Sequence, residues 1–185
     1  MEAPRLKGRL LVANPTMQDP NFDRTVVLVL EHNAEGALGV VLNRPSDAAL
    51  TGALPAWGPL AADPAVVFVG GPVGPDSAIG LARAAAGGET DGWAPLFDGY
   101  GTVDLGRPPD EVEARVDALR VFAGYAGWGP GQLEGELAAG GWVVVDAAPD
   151  DPLCAEPDRL WESVLRRQGG TTAWLADCPP NPNAN

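Results

Sequence analysis

The chain contains a single histidine, His32, a single lysine, Lys7, and two cysteines, Cys154 and Cys178, in 185 residues. Each scarcity excludes a class of chemistry. Two cysteines form neither a disulfide framework nor, with one histidine, a four-ligand zinc site. A P-loop ends in Lys-Ser or Lys-Thr, and Lys7 is followed by glycine. There is no Gly-x-Ser-x-Gly, so the usual nucleophile elbow is missing. Any histidine-based triad or metal site would have to use His32 alone. No cofactor and no metal are expected.

Long apolar runs are also absent. The N-terminal stretch reaches only four consecutive apolar residues, Leu10 to Ala13, against about 7–15 in the core of a secretory signal. Nothing approaches the ~20 apolar residues of a membrane span. The expectation is a cytoplasmic protein that does not contact membrane. Positive charge is scarce too: 12 Lys and Arg stand against 25 Asp and Glu, a net charge of −13. Residues 134–158 hold seven acids and no base. Nucleic-acid binding needs a basic face to neutralise phosphates, so no direct nucleic-acid partner is expected. The acidic surplus reads as solubility.

What is present is a globular composition, 45% hydrophobic and 20% charged. At this length roughly 70% of the unfolded surface can be buried, so one domain is self-sufficient. Residues 1–178 read as that domain and 179–185, Pro- and Asn-rich, as a disordered tail. Thr25–Leu30 and Ala37–Leu42 are strand-like, and the turn-rich Asn33–Gly36 between them predicts an antiparallel hairpin. Asn43-Arg44-Pro45 should end it, because proline does not continue a central ladder. Residues 47–63 read as a short helix or irregular excursion. Ala65–Val69 is a third strand, closed by Gly70-Gly71-Pro72. Weaker strands are expected at Ala94–Phe97 and Thr102–Leu105, then helical turns over 110–116. Leu119–Ala123 reads as a strand entering a turn-rich Gly124–Gly131. A short helix follows over Gln132–Ala139, with Pro130 at its first position, and then a strand at Trp142–Val145. Pro157–Arg167 is the clearest helix, with Leu160, Trp161, Val164 and Leu165 on one face. Strands outnumber helices without regular alternation, which indicates an α+β fold with a mixed sheet.

Two clusters stand out as candidate binding residues. One is Asp19, Arg24, Asn43 and Arg44, flanking the first hairpin, where arginines either tie loop carbonyls or meet an anion. The other is Tyr125, Trp128 and Gln132 in the glycine-rich stretch, where the aromatics read as exposed beside turns. His32, at the end of a strand, is a further candidate binding residue, and it reads either as a structural loop histidine or as a general base oriented by Asp19 or Asp23. Glu134 and Glu136 are two apart on a helix, point to different faces and do not form a catalytic pair. If the hairpin and the glycine-rich stretch share one sheet edge, the clusters should line one concave surface. Arg24 and Arg44 would then favour an anionic or carbonyl-bearing ligand.

The same residues carry a family resemblance. Gly8–Ala13, Pro15, Met17, Asp19, Phe22, Arg24–Leu28, Glu31-His32, Gly36-Ala37, Gly39 and Leu42–Pro45 resemble the opening signature of the bacterial YqgE/AlgH family. Gly70–Val73 is similar to its second motif. Gly124–Trp128 with Gly131–Glu134 resembles its third, followed by Trp142, Leu160-Trp161 and Arg166-Arg167. The resemblance implies one compact domain whose mixed sheet is bifurcated and partly closed like a barrel, with flanking helices. It implies no established activity, although members are often labelled transcriptional regulators. Many members have Leu-His in the strand after the second motif, where this chain has Leu81-Ala82.

The leading functional expectation is a non-catalytic domain that binds a small ligand or a protein partner. The alternative is an enzyme, possibly hydrolytic, using His32 with Asp19 or Asp23. A third reading, a direct DNA-binding regulator, has only the family label behind it.

Overall fold

The computed structural model describes residues 5–84, 92–112 and 116–179. Ten strands form its frame: β1 (Arg9–Ala13), β2 (Val26–Asn33), β3 (Gly36–Val41), β4 (Pro45–Ala49), β5 (Val66–Val69), β6 (Val73–Ala84), β7 (Trp93–Phe97), β8 (Tyr100–Val103), β9 (Val116–Trp128) and β10 (Trp142–Asp146). The helices are α1 (Leu50–Ala53), α2 (Gln132–Ala138), α3 (Pro157–Gln168) and α4 (Gly170–Trp174). The expected tail falls outside the described residues except for Pro179.

The strand order is β10-β1-β2-β3-β9-β6-β8-β7, with β4 and β5 forming a branch at β9. The long β9 causes the fork. Its middle, Phe122 and Ala123, pairs parallel with β5, and its end, Ala126 to Trp128, pairs antiparallel with β3. Along most of its length it pairs antiparallel with β6. The sheet is therefore mixed and bifurcated, and it curls into a half-barrel. That curvature lets one core cluster gather Leu10, Leu28 and Val40 from one end and Leu81, Tyr100 and Phe122 from the other.

Strand alternation sorts side chains between the two faces. On β1 and β2, Leu10, Val12, Val26 and Leu28 face the inner cluster, while Leu11, Ala13, Val27 and Val29 face a second one. Helix α3 covers the inner face through Leu160, Trp161, Val164 and Leu165. Its start has Pro157 at the first position, its last turn carries Arg166 and Arg167, and Gly169 at φ +70° ends it.

Several elements differ from the sequence expectation, for physical reasons. The stretch Gly124–Trp128 is strand, not turn. A Cβ on Gly124 would lie 2.5 Å from the Gly71 carbonyl oxygen, so glycine here serves close backbone approach within a strand. Pro45 does not merely end the hairpin but opens β4, whose only partner is β5, and proline is tolerated at the start of an edge strand. The β7–β8 hairpin turns at Asp98-Gly99, both at positive φ, which brings β8 forward to Tyr100 rather than Thr102. Pro130 precedes α2, whose N-cap is Gly131 in the left-handed region and whose first residue is Gln132. The helical turns expected over 110–116 reduce to a 3-10 turn at Pro109–Glu111, and 113–115 lie outside the described residues. Strands β1 and β6 and helix α4 have no counterpart in the periodicity.

Candidate functional site

The loop between β1 and β2 places its residues on opposite faces of the sheet. Asp19 accepts the Phe22 and Asp23 amides on its carbonyl at 3.0 and 2.8 Å, forming a tight turn. Its carboxylate accepts the Asn21 amide at 2.9 Å. Arg24 then adopts φ +54°, a left-handed conformation uncommon for a non-glycine residue. Its guanidinium ends on the inner face, 4.5 Å over the Trp161 ring, and donates to the Cys178 carbonyl. Phe22, two residues earlier, packs on the outer face against Trp128 and Trp142.

The candidate cluster of Asp19, Arg24, Asn43 and Arg44 is thus divided. Asn43 accepts the Val26 amide at 3.0 Å and donates to the Arg24 carbonyl at 2.9 Å, a loop clasp. Arg44 donates to the Asp23 carbonyl at 3.0 Å. Burial holds the Arg44 pKa below its ordinary value, with Asp23 and Asp19 opposing the shift. The two arginines do not line a common site with Trp128, which corrects the expected anion-attracting surface. Only Asp19 joins the second cluster.

His32 is 8% exposed and takes neither expected partner. Its Nε2 lies 2.7 Å from Glu134 Oε1 on α2, and its Nδ1 accepts the Leu6 amide at 3.2 Å. An acceptor Nδ1 leaves the ring proton on Nε2, which donates to the carboxylate. That hydrogen bond holds the Glu134 pKa below the ordinary glutamate range. Both ring nitrogens are occupied, and neither Asp19 nor Asp23 orients the imidazole.

The second cluster forms a cleft. Phe22, Trp128 and Trp142 are its aromatic walls, with Met17, Asp19 and Gln132 around them, enclosing about 270 Å³. Phe22 and Trp128 are near-parallel, 27° apart with centroids at 6.3 Å. Trp142 stands across both, at 74° and 76°. Trp128 is buried, at 6% exposure, rather than exposed beside a turn. Tyr125 is absent from the cleft: it contacts the inner cluster, because strand alternation along β9 sends it to the face opposite Trp128.

The residue holding the cleft together is Glu136 on α2. Its Oε2 accepts the indole N–H of Trp128 at 2.9 Å and of Trp142 at 2.8 Å. Its Oε1 accepts Gln132 Nε2 at 3.2 Å. Gln132 in turn accepts the Gly129 amide at 3.0 Å, fixing the entry to the helix. Glu134 and Glu136 therefore act on different partners, as their spacing predicts. Sequence reasoning did not select Phe22, Glu136 or Trp142 as site residues. The available signal was two tryptophans flanking a short acidic helix, since a buried indole N–H requires an acceptor.

Among the described residues, no group of three or more His, Cys, Asp or Glu could hold a metal ion. No described helix is long and apolar enough to cross a membrane.

Residues 10–173 match the family model described as AlgH-like. A UPF0301 protein of Streptomyces avermitilis is 50% identical over 188 residues, covering 100% of this chain and 97% of its own. A Mycobacterium leprae UPF0301 protein is 45% identical over 96% of this chain and 90% of its own. The crystal structure of a Corynebacterium diphtheriae protein is similar with a TM-score of 0.87 and 34% identity, over 95% and 93% of the two chains. The solution structure of the AlgH protein from Pseudomonas aeruginosa is similar with a TM-score of 0.70 and 29% identity, over 98% of each.

Proposed function

The chain belongs to the AlgH-like family, and on that footing we propose a non-catalytic binding domain whose recognition site is the cleft walled by Phe22, Trp128 and Trp142. The observation that carries this reading is the double acceptance of the Trp128 and Trp142 indoles by Glu136. One carboxylate sets two ring orientations before anything binds, and a preorganised wall loses little entropy on association. The hollow is not the largest on the molecule. A wider one of about 600 Å³ lies over His32, but Lys7 and Glu31 are paired there, as are His32 and Glu134. The cleft instead combines apolar area with a few oriented polar groups, the usual composition of a small-molecule site.

The same geometry argues against the catalytic alternative. His32 has no free ring nitrogen, and its carboxylate partner lies outside the cleft. Direct DNA reading is not part of the proposal, because Arg24 and Arg44 are bound to loop carbonyls.

The test is a fragment screen by NMR on the full chain, using small neutral, anionic and cationic probes. Trp161, on the buried face of α3, serves as the internal reference. Binding in the cleft moves the Trp128 and Trp142 indole N–H resonances and leaves Trp161 unmoved. Responses that cluster over His32, or no response at either cleft indole, overturn the reading.

A further inference from the structure

We infer that the cleft selects a small organic cation, an alkylated ammonium group being the best fit. This inference rests on the reading of the cleft as a binding site and adds the sign and class of its ligand.

The first observation is the charge of the lining. Among the described residues, Asp19 and Glu136 are its only charged side chains, and both are acids. Arg44 is close enough for Asp19 to influence it, but it does not line the cleft, and no ion pair within 4.0 Å joins the two among the described residues. The second is the scarcity of free donors. The side chains lining the cleft that carry N–H groups are Trp128, Gln132 and Trp142, and each donates to Glu136. An anion entering the cleft would meet two carboxylates and, among the described side-chain donors, only the second N–H of Gln132 left over.

The third observation is the aromatic geometry. The three rings pack on one another, two near-parallel and the third edge-on with centroids 5.6–6.3 Å apart, and the π surface they leave toward the cleft carries negative potential. A cation seated against such faces is attracted by the ring quadrupoles. The carboxylates of Asp19 and Glu136, which line the same cleft, add to that attraction. Glu136 already accepts three donors, which leaves about one of its four lone-pair sites for an entering ion. A strongly hydrated ion would lose more water contacts than the walls replace, whereas an alkylated ammonium gives up little. About 270 Å³ accommodates a headgroup of that size and not a nucleotide or a folded peptide.

This reverses the ligand sign suggested by the sequence. Arginines near the hairpin implied an anion, but the backbone turn at Arg24 carries its cation to the other face.

The experiment compares choline with 3,3-dimethylbutan-1-ol, which has the same shape without the charge, and with benzoate as the anionic probe. Choline should shift the Trp128 and Trp142 indole resonances saturably, and the alcohol should bind about ten-fold more weakly, between the scales of an exposed and a desolvated cation–π contact. Asp19→Asn keeps the oxygen that accepts the Asn21 amide, so the turn survives. It should weaken choline about three-fold and leave the alcohol unchanged, an effect that raised salt also reproduces. Equal binding of the alcohol, or tighter binding of benzoate, overturns the cation assignment while leaving the cleft a binding site. Silence of both indoles toward all three probes overturns the binding-site reading as well.

Discussion

Two tryptophan environments on opposite faces of one sheet show how the same side chain is used to close a core and to wall a cleft. On the inner face, Trp161 is sealed: its indole donates to the Ala13 carbonyl at 2.8 Å, Arg24 covers its ring, and α3 fixes it among aliphatic residues. On the outer face, Trp128 and Trp142 are nearly as buried, yet they border open space and donate to a carboxylate on a short helix. The difference is not in exposure but in what completes each ring's surroundings. A backbone carbonyl and a guanidinium finish the first. A side chain on α2 finishes the second, and beyond it the rings border the cleft.

The largest effect that would break this comparison is Trp161→Ala. Removing a sealed indole from the inner cluster should cost about 3–5 kcal/mol, read as a lower urea midpoint with an unchanged denaturant slope. The Trp128 and Trp142 indole resonances should stay in place in the folded fraction. A loss below about 1 kcal/mol would show that the inner face is not the stability-bearing one.

Glu136→Ala comes next. It leaves two largely buried indole donors without their acceptor, at about 2–3 kcal/mol in total. The sharper expectation is selective: Trp128 and Trp142 indole protons should exchange faster with solvent while Trp161 does not. Equal acceleration at all three would erase the distinction between the faces.

The smallest effect is the pH response of the other carboxylate on α2. The His32 hydrogen bond depresses the folded Glu134 value relative to the unfolded one. The pair therefore stabilises fully above the ordinary glutamate value of 4.5, and that contribution is lost as pH falls through the folded value. Glu134 is 42% exposed in its side chain, so the effect is screened. Thermal midpoints of the wild type and Glu134→Gln should differ near neutrality and converge in acid. A gap that widens on acidification would contradict the assigned proton on Nε2.

The comparison also shows what the sequence makes legible. The strands β2, β3, β5 and β10 and helix α3 announce themselves because burial on both faces demands unbroken apolar runs, and a covering helix demands a 3.6-residue stripe. Strand β6 does not, since Gly74-Pro75-Asp76-Ser77 forms an exposed irregular stretch where its pairing with β9 shifts register. Glycines 124 and 127 read as turn signals although they lie in β9. The cleft was half visible: Asp19, Trp128 and Gln132 were selected, and Tyr125 failed by a single step of strand alternation. The pairing of His32 with Glu134 spans 102 residues, and no local pattern encodes it. Arg24 misled for a backbone reason, because a positive φ redirects a side chain without leaving a mark on composition.

Helix α2 is only seven residues long, yet it reaches His32 through Glu134 and both indoles through Glu136. In mechanical terms the two tryptophan walls share one degree of freedom. Neither ring can swing without loosening the pin that holds the other, and the pin rides on a bar anchored at His32. A change that loosens Glu136 should therefore be felt at both rings together, and one that unseats α2 at His32 on β2 as well.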